Sequence, residues 1–216
     1  MDSVFDVLGL IMVGPSSSHT AAMVKAGLFF KNLFSRKIEK VEVEFNGSLA
    51  MTGKGHGSHL AVVGGIMGFR PDDSRIKNSL SLAKREGISF RFTVGMRTSN
   101  VVYLRGVSEY EQHSLLVESI GGGHIRIREI DGFTCDFEPE YPLLISFHSD
   151  VPGIIAKITS ILSSHNINIG WMIVTRNVRG GNAMATIKVD TRIFPDVLSL
   201  LLDIPKILRV IYMEEM

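Results

Sequence analysis

Two short polar runs in the first sixty residues concentrate the residue types that could do chemistry. The first is Gly14-Pro15-Ser16-Ser17-Ser18-His19-Thr20, with four hydroxyls and an imidazole. It stands just before a stretch, residues 21–34, whose apolar positions follow helical spacing. A helix start leaves backbone N–H groups free and carries the positive end of the helix dipole, so a carboxylate or phosphate is attracted there. Serine and threonine are also the favoured helix caps, so the same run reads equally well as an N-cap with extra polar residues. The second run is Gly53-Lys54-Gly55-His56-Gly57. Its glycines let a backbone approach a ligand, while Lys54 and His56 add a charge and a titratable ring. It lacks the Gly-Lys-Ser/Thr ending of a phosphate-binding P-loop. His56 and His59 are spaced as two ligands on one helical face would be, yet no carboxylate or cysteine stands nearby to complete a metal set. His59 is therefore read as exposed or hydrogen-bonded.

The elements that must position these runs are partly legible. Residues 41–45 alternate as a strand ending at an Asn46-Gly47 turn, and residues 60–67 read as a helix. An amphipathic helix over 72–85 is capped by Asp72 or Asp73. Strands are expected at 90–94, 101–105 and 125–130, with Gly121-Gly122-Gly123 as a flexible loop that closes over a site or allows a sharp bend. These elements give an α+β domain whose strand order the sequence leaves open.

Residues 131–142 carry two prolines and four acids. That is poor material for the interior of an element, so a linker is expected there between domains at 1–138 and 143–216. The second domain reads as a strand at 143–148, a helix from Ile154, strands at 168–176 and 183–189 joined by a Gly180-Gly181-Asn182 turn, a helix beginning at Pro195, and a last strand at 207–213. The order βαββαβ implies an antiparallel sheet with two helices on one face, the ferredoxin-like arrangement. Asp150-Val151-Pro152-Gly153 opens its first helix. There Gly153 would let a ligand carboxylate approach, and an Asp or Asn side chain would receive an ammonium group; a capped helix with a tight turn explains the same residues.

Composition narrows the class. The 216 residues include 23 Lys and Arg against 22 Asp and Glu, so no basic surface for nucleic acid is expected. No apolar run is long enough to span a membrane, and the first residues lack a secretory pattern, so a cytoplasmic protein is expected. One cysteine, Cys135, excludes an internal disulfide and any zinc site or cluster held by this chain's thiolates alone.

Taken together, Gly14–Thr20, Thr52-Gly53-Lys54-Gly55-His56-Gly57 and Ser119-Ile120-Gly121-Gly122-Gly123, in this order, resemble the β chain of the iron–sulfur-dependent, two-chain bacterial L-serine dehydratases. Residues 143–216 look like an ACT domain, the amino-acid-sensing module that ends such β chains. The first half is also similar to a substrate-binding domain of some phosphoglycerate dehydrogenases. The resemblance implies a lyase converting L-serine to pyruvate and ammonia with a [4Fe-4S] cluster held by a partner α chain. On that reading Ser16, Ser17, Ser18, Thr20, Lys54 and Gly55 bind substrate, and His19 and His56 do acid–base or orienting work. By likeness to serine-sensing ACT domains, His148, Asp150, Gly153 and Asn168 would take a ligand between two copies, implying a homodimer contact through this or the N-terminal domain. Asp150 stands where such sensors often carry asparagine. The family usually continues Gly-His-Gly with Thr-Asp, where this chain has Ser58-His59. The alternative is a non-catalytic regulatory module that binds serine or a related acid and reports it through dimerisation.

Overall fold

In the computed structural model, residues 17–52 and 57–214 are described. The chain divides into two compact units. The first runs to Asp131 and takes in Asp136–Glu138, and the second holds Gly132–Cys135 and the chain from Pro139 on. Among the described residues, no helix is long and apolar enough to cross a membrane.

The first unit contains α1 (Ser17–Asn32), β1 (Lys40–Phe45), α2 (Ser48–Thr52), α3 (Ser58–Ile66), a 3-10 turn (Ser74–Asn78), α4 (Ser79–Arg85), β2 (Ser89–Val94), β3 (Val101–Val107), β4 (Gln112–Gly121) and β5 (His124–Ile130). Then comes β6 (Phe133–Phe137), which the division between the units cuts. The strands order as β2-β1-β3-β4-β5-β6 in one sheet. β1 runs parallel to β2 and antiparallel to β3, and the β3–β4 and β4–β5 pairs are antiparallel. Residues Val41, Val43 and Phe45 of β1 are buried while the acids Glu42 and Glu44 between them are not, as alternation on a half-covered sheet requires.

Helix α1 is apolar on nearly every side: Ala21, Ala22, Met23, Val24, Ala26, Phe29 and Phe30 are all fully buried. Its neighbour is α3, and the two backbones touch. A Cβ on Gly27 would lie 2.3 Å from the Val62 carbonyl oxygen, and one on Gly65 would lie 2.1 Å from that of Val24. Only glycine at both positions permits the crossing.

Several expectations are corrected here. Ser17, Ser18, His19 and Thr20 belong to the first turn of α1 rather than to a loop before it; small hydroxyl residues are tolerated in a first turn, where N–H groups lack intrahelical partners. The helix expected over 72–85 is two pieces. Asp73 caps the 3-10 turn by accepting from the Arg75 N–H, and α4 starts anew at buried Ser79, whose hydroxyl donates to the Leu60 carbonyl at 2.7 Å. The expected linker contains β6, in which Phe133, Cys135 and Phe137 are buried and alternate with exposed Thr134 and Asp136. That period-two pattern outweighs the acids and prolines around it. The triglycine makes a sharp bend: Gly121 opposes His124, and Gly122 and Gly123 both have positive φ, the two-residue hairpin turn that matches strand twist.

The second unit contains β7 (Leu143–Ser149), α5 (Ile154–Ser164), β8 (Ile169–Arg176), β9 (Asn182–Val189), α6 (Pro195–Leu202) and β10 (Ile207–Met213). The sheet order is β10-β7-β9-β8, antiparallel throughout. Leu144, Ala185, Ile187 and Val189 from the sheet pack with Ile154, Ile158 and Leu162 of α5 and Val197 and Leu201 of α6 in one core. This is the expected βαββαβ arrangement, and the chain is an α+β protein.

Candidate functional site

In the first unit, two ring contacts orient the helices on the sheet. Phe34, just beyond α1, sits edge-on to His113 at 4.7 Å, and a Cβ on Gly106 would strike Phe30 near the end of α1. His113 opposes Gly106, which opposes Val41, so α1 ends at the N-terminal edge of β1. His59, at the start of α3, meets Phe92 of β2 edge-on at 6.0 Å, and Phe92 stacks on Phe45 at the C-terminal end of β1. Thus α3 begins at the C-terminal edge. The 16 residues of α1 rise about 24 Å, more than the length of β1, and so α1 also begins there. Two helix N-termini with no acid in either first turn point to the edge where ligands of parallel strands commonly bind.

That edge carries Ser17, Ser18, His19 and Thr20 on α1, and Gly57 and Ser58 at the start of α3. Ser16, Lys54, Gly55 and His56 lie outside the described residues, as do the side chains of Ser17, Ser18 and His19. Thr20 is 3% exposed and Ser58 1%, and neither hydroxyl has a hydrogen-bond partner. Asn46, read only as a turn residue, is fully buried at the same edge. Its amide donates to Glu44, and its carbonyl accepts the Arg97 N–H at 3.0 Å. A Cβ on Gly95 would lie 2.1 Å from that carbonyl oxygen, so the Asn46 side chain is bedded on glycine. In the sequence, Ser58 and Asn46 each have an ordinary local explanation, a helix start and a turn.

In the second unit, His148, Asp150 and Gly153 come together and Asn168 does not join them. His148 is 2% exposed at the end of β7, its Nδ1 without a partner, and burial holds its imidazole below the usual range and hence neutral. The Asp150 carboxylate accepts the Gly180 N–H at 3.0 Å and pairs with Arg176 at 3.1 Å, which lowers its pKa and offsets its charge. Gly153 has φ of 89° and precedes α5 with no side-chain cap. Asn168 donates to Asp190 at 2.6 Å beyond the far end of β8. Its neighbour Ile169 opposes Val189, whereas His148 and Arg176 both oppose Ala183. Seven residues of strand, about 23 Å, separate those ends. A cavity of about 470 Å³ lined by Thr159, Ser163 and Asn166–Ile169 adjoins the Asn168 end.

The state of His148 has a testable consequence. Its folded pKa lies below the unfolded value of about 6.5, so the unfolded chain binds the proton first as pH falls. Stability should therefore decline with acidification below about pH 6.5, and His148→Gln should flatten that decline. Urea unfolding between pH 7.5 and 5 measures it; identical slopes for both proteins would contradict the assignment.

One cysteine cannot supply the thiolate set of an iron–sulfur cluster, and Cys135 is buried in β6. Among the described residues, no group of three or more His, Cys, Asp or Glu side chains could hold a metal ion. This chain's residues do not fit a cluster of their own.

Comparison with known proteins agrees with this architecture. Residues 3–89 match the serine dehydratase beta chain family and residues 143–206 the ACT domain. The chain is 38% identical over 211 residues to a probable L-serine dehydratase beta chain of Bacillus subtilis, covering 96% of each protein. It is 34% identical over 217 residues to the L-serine dehydratase beta chain of Peptoniphilus asaccharolyticus, covering 98% of each. A D-3-phosphoglycerate dehydrogenase of Synechocystis is 30% identical over 171 residues, which span 76% of this chain and 30% of that enzyme. The chain belongs to the serine dehydratase β-chain family and ends in an ACT domain.

Proposed function

We propose that this chain is the β subunit of an L-serine ammonia-lyase, gripping the substrate while an α chain holds a [4Fe-4S] cluster. The observation that carries the reading is the convergence of two acid-free helix N-termini, with Ser17–Thr20 on one and Ser58 on the other, at the C-terminal edge of β1 and β2. The near full-length relatives named as L-serine dehydratase beta chains support it. When bound in the partner, the cluster supplies a Lewis acid for the leaving hydroxyl.

The residues of this chain have the remaining tasks. Free N–H groups and hydroxyls of Ser16, Ser17, Ser18 and Thr20, with Lys54 and the Gly55 backbone, hold the carboxylate. His19 or His56 takes the proton from Cα, since imidazole exchanges protons near neutral pH. A cytoplasmic setting suits a chain with one free thiol and a cluster-bearing partner.

A second reading, a serine-responsive regulatory module, draws on the ACT unit. β8 is a terminal strand of its sheet. Pairing with β8 of a second copy about a two-fold axis would run antiparallel and bring Asn168 of one copy toward His148 and Asp150 of the other. The two readings are compatible, the sensor regulating the lyase.

The test is pyruvate release from L-serine under anoxic conditions with this chain, an α-type partner, and both. Activity is expected only in the mixture. Full activity of the partner alone, or an inert mixture with an intact cluster, would leave the regulatory reading in its place.

A further inference from the structure

Thr20 and Ser58 stand in corresponding positions on the two touching helices. Thr20 lies seven residues before Gly27, and Ser58 seven before Gly65, the pair at which the backbones meet. Seven residues are two turns, so each hydroxyl lies on its helix's contact stripe, on the N-terminal side of the crossing. Both helices begin at the same edge, so the two side chains face one seam. Helical Cβ atoms tilt toward the N-terminus, which aims both hydroxyls at its mouth. Both are almost wholly buried, and neither bonds to the other or to anything else. Burying a hydroxyl without a partner is costly, and here two such groups on neighbouring helices both lack an acceptor. Gly57 and His59, on either side of Ser58, are partly exposed.

We propose that Thr20 and Ser58 clasp one oxygen of the substrate's α-carboxylate between α1 and α3, making Ser58 a substrate-binding residue of the second helix. Each hydroxyl donates to the same carboxylate, and both helix dipoles favour its charge. The inference rests on the lyase reading for the identity of the acid; the unpartnered hydroxyls themselves call for an acceptor in either case.

The test uses the α–β complex with Ser58→Ala, Ser58→Thr and Thr20→Val. It reads steady-state kinetics with L-serine, calorimetric binding of L-serine and of acetate, and substrate-free melting. Ser58→Ala and Thr20→Val should each weaken L-serine and acetate binding and raise KM by about tenfold, with kcat changed far less. Ser58→Thr, which keeps the hydroxyl, should restore KM. Substrate-free Ser58→Ala should melt no lower than the parent, because it loses an unpartnered hydroxyl. A purely structural serine would behave in reverse, with a lower melting temperature and unchanged binding, and that result overturns the proposal. So does absence of carboxylate binding by the unsubstituted complex. If the complex binds L-serine through these hydroxyls yet releases no pyruvate, the lyase reading fails and the clasp stands.

Discussion

Gly65→Val should abolish stable folding of the first unit, and Gly65→Ala should cost at least about 3 kcal/mol of unfolding free energy. The reason lies in backbone geometry. A Cβ at this position meets the Val24 carbonyl oxygen at 2.1 Å, the Leu28 nitrogen at 2.8 Å and the Gly27 Cα at 2.9 Å. None of these atoms belongs to a flexible side chain that could swing aside, so α1 and α3 must separate. Separation opens a void along a seam that buries Val24, Leu28, Val62 and Ile66, and the lost contacts add to the strain. Gly27→Ala should behave alike, with its Cβ 2.3 Å from the Val62 carbonyl oxygen. Gly57→Ala is the control. Nothing lies within 4 Å of its Cβ, and the cost is confined to a φ of 73°, about 1 kcal/mol. Urea unfolding of the three alanine variants checks the order; equal losses at Gly57 and Gly65 would refute the close crossing.

This contact also explains what the sequence could and could not reveal. The second unit was legible almost element by element, because each strand and helix there has its own period and its own turn residues: Pro195 opens α6, and Gly180 turns β8 into β9. In the first unit, helical spacing marks residues 21–34, but α1 is buried on nearly all sides, so no polar–apolar period shows which stripe meets α3, and the joint at Gly27 and Gly65 emerges only from the crossing itself. β4 went unread although His113, Leu115 and Val117 are buried in alternation, because strand order, and hence which face is covered, depends on pairings remote in sequence. The same holds for the site. The hydroxyl-rich run announced itself by composition, but its complement on α3 is one serine, Ser58. Its significance comes from sharing a seam with Thr20, a relation that only the fold creates. In the ACT unit, the Asp150 charge that stands where such sensors often carry asparagine is offset by Arg176, 26 residues away in sequence and adjacent through the β7–β9–β8 register.

The activity of the two-chain enzyme should fall by about 10²–10⁴ in kcat on His19→Ala, with little change in KM or in melting temperature. His19 is the third residue of α1, directly before Thr20 and at the edge where both helices begin. On the proposed reading a carboxylate is held at that edge, and an imidazole is a group able to take a proton near neutral pH. The sign of the pH effect follows. A base must be unprotonated to act, so kcat/KM of the parent enzyme should drop on acidification as the base takes up its proton. In His19→Ala the remaining activity should lose that acid limb. If the limb survives in His19→Ala and disappears in His56→Ala, proton abstraction belongs to the glycine-rich run and His19 orients the substrate. A KM increase without loss of kcat would instead assign His19 to binding, alongside Thr20 and Ser58. The seam hydroxyls and the imidazole are thereby separated by which kinetic constant each one moves: the clasp acts on the bound ground state and transition state alike, whereas the base is felt only when the Cα–H bond breaks.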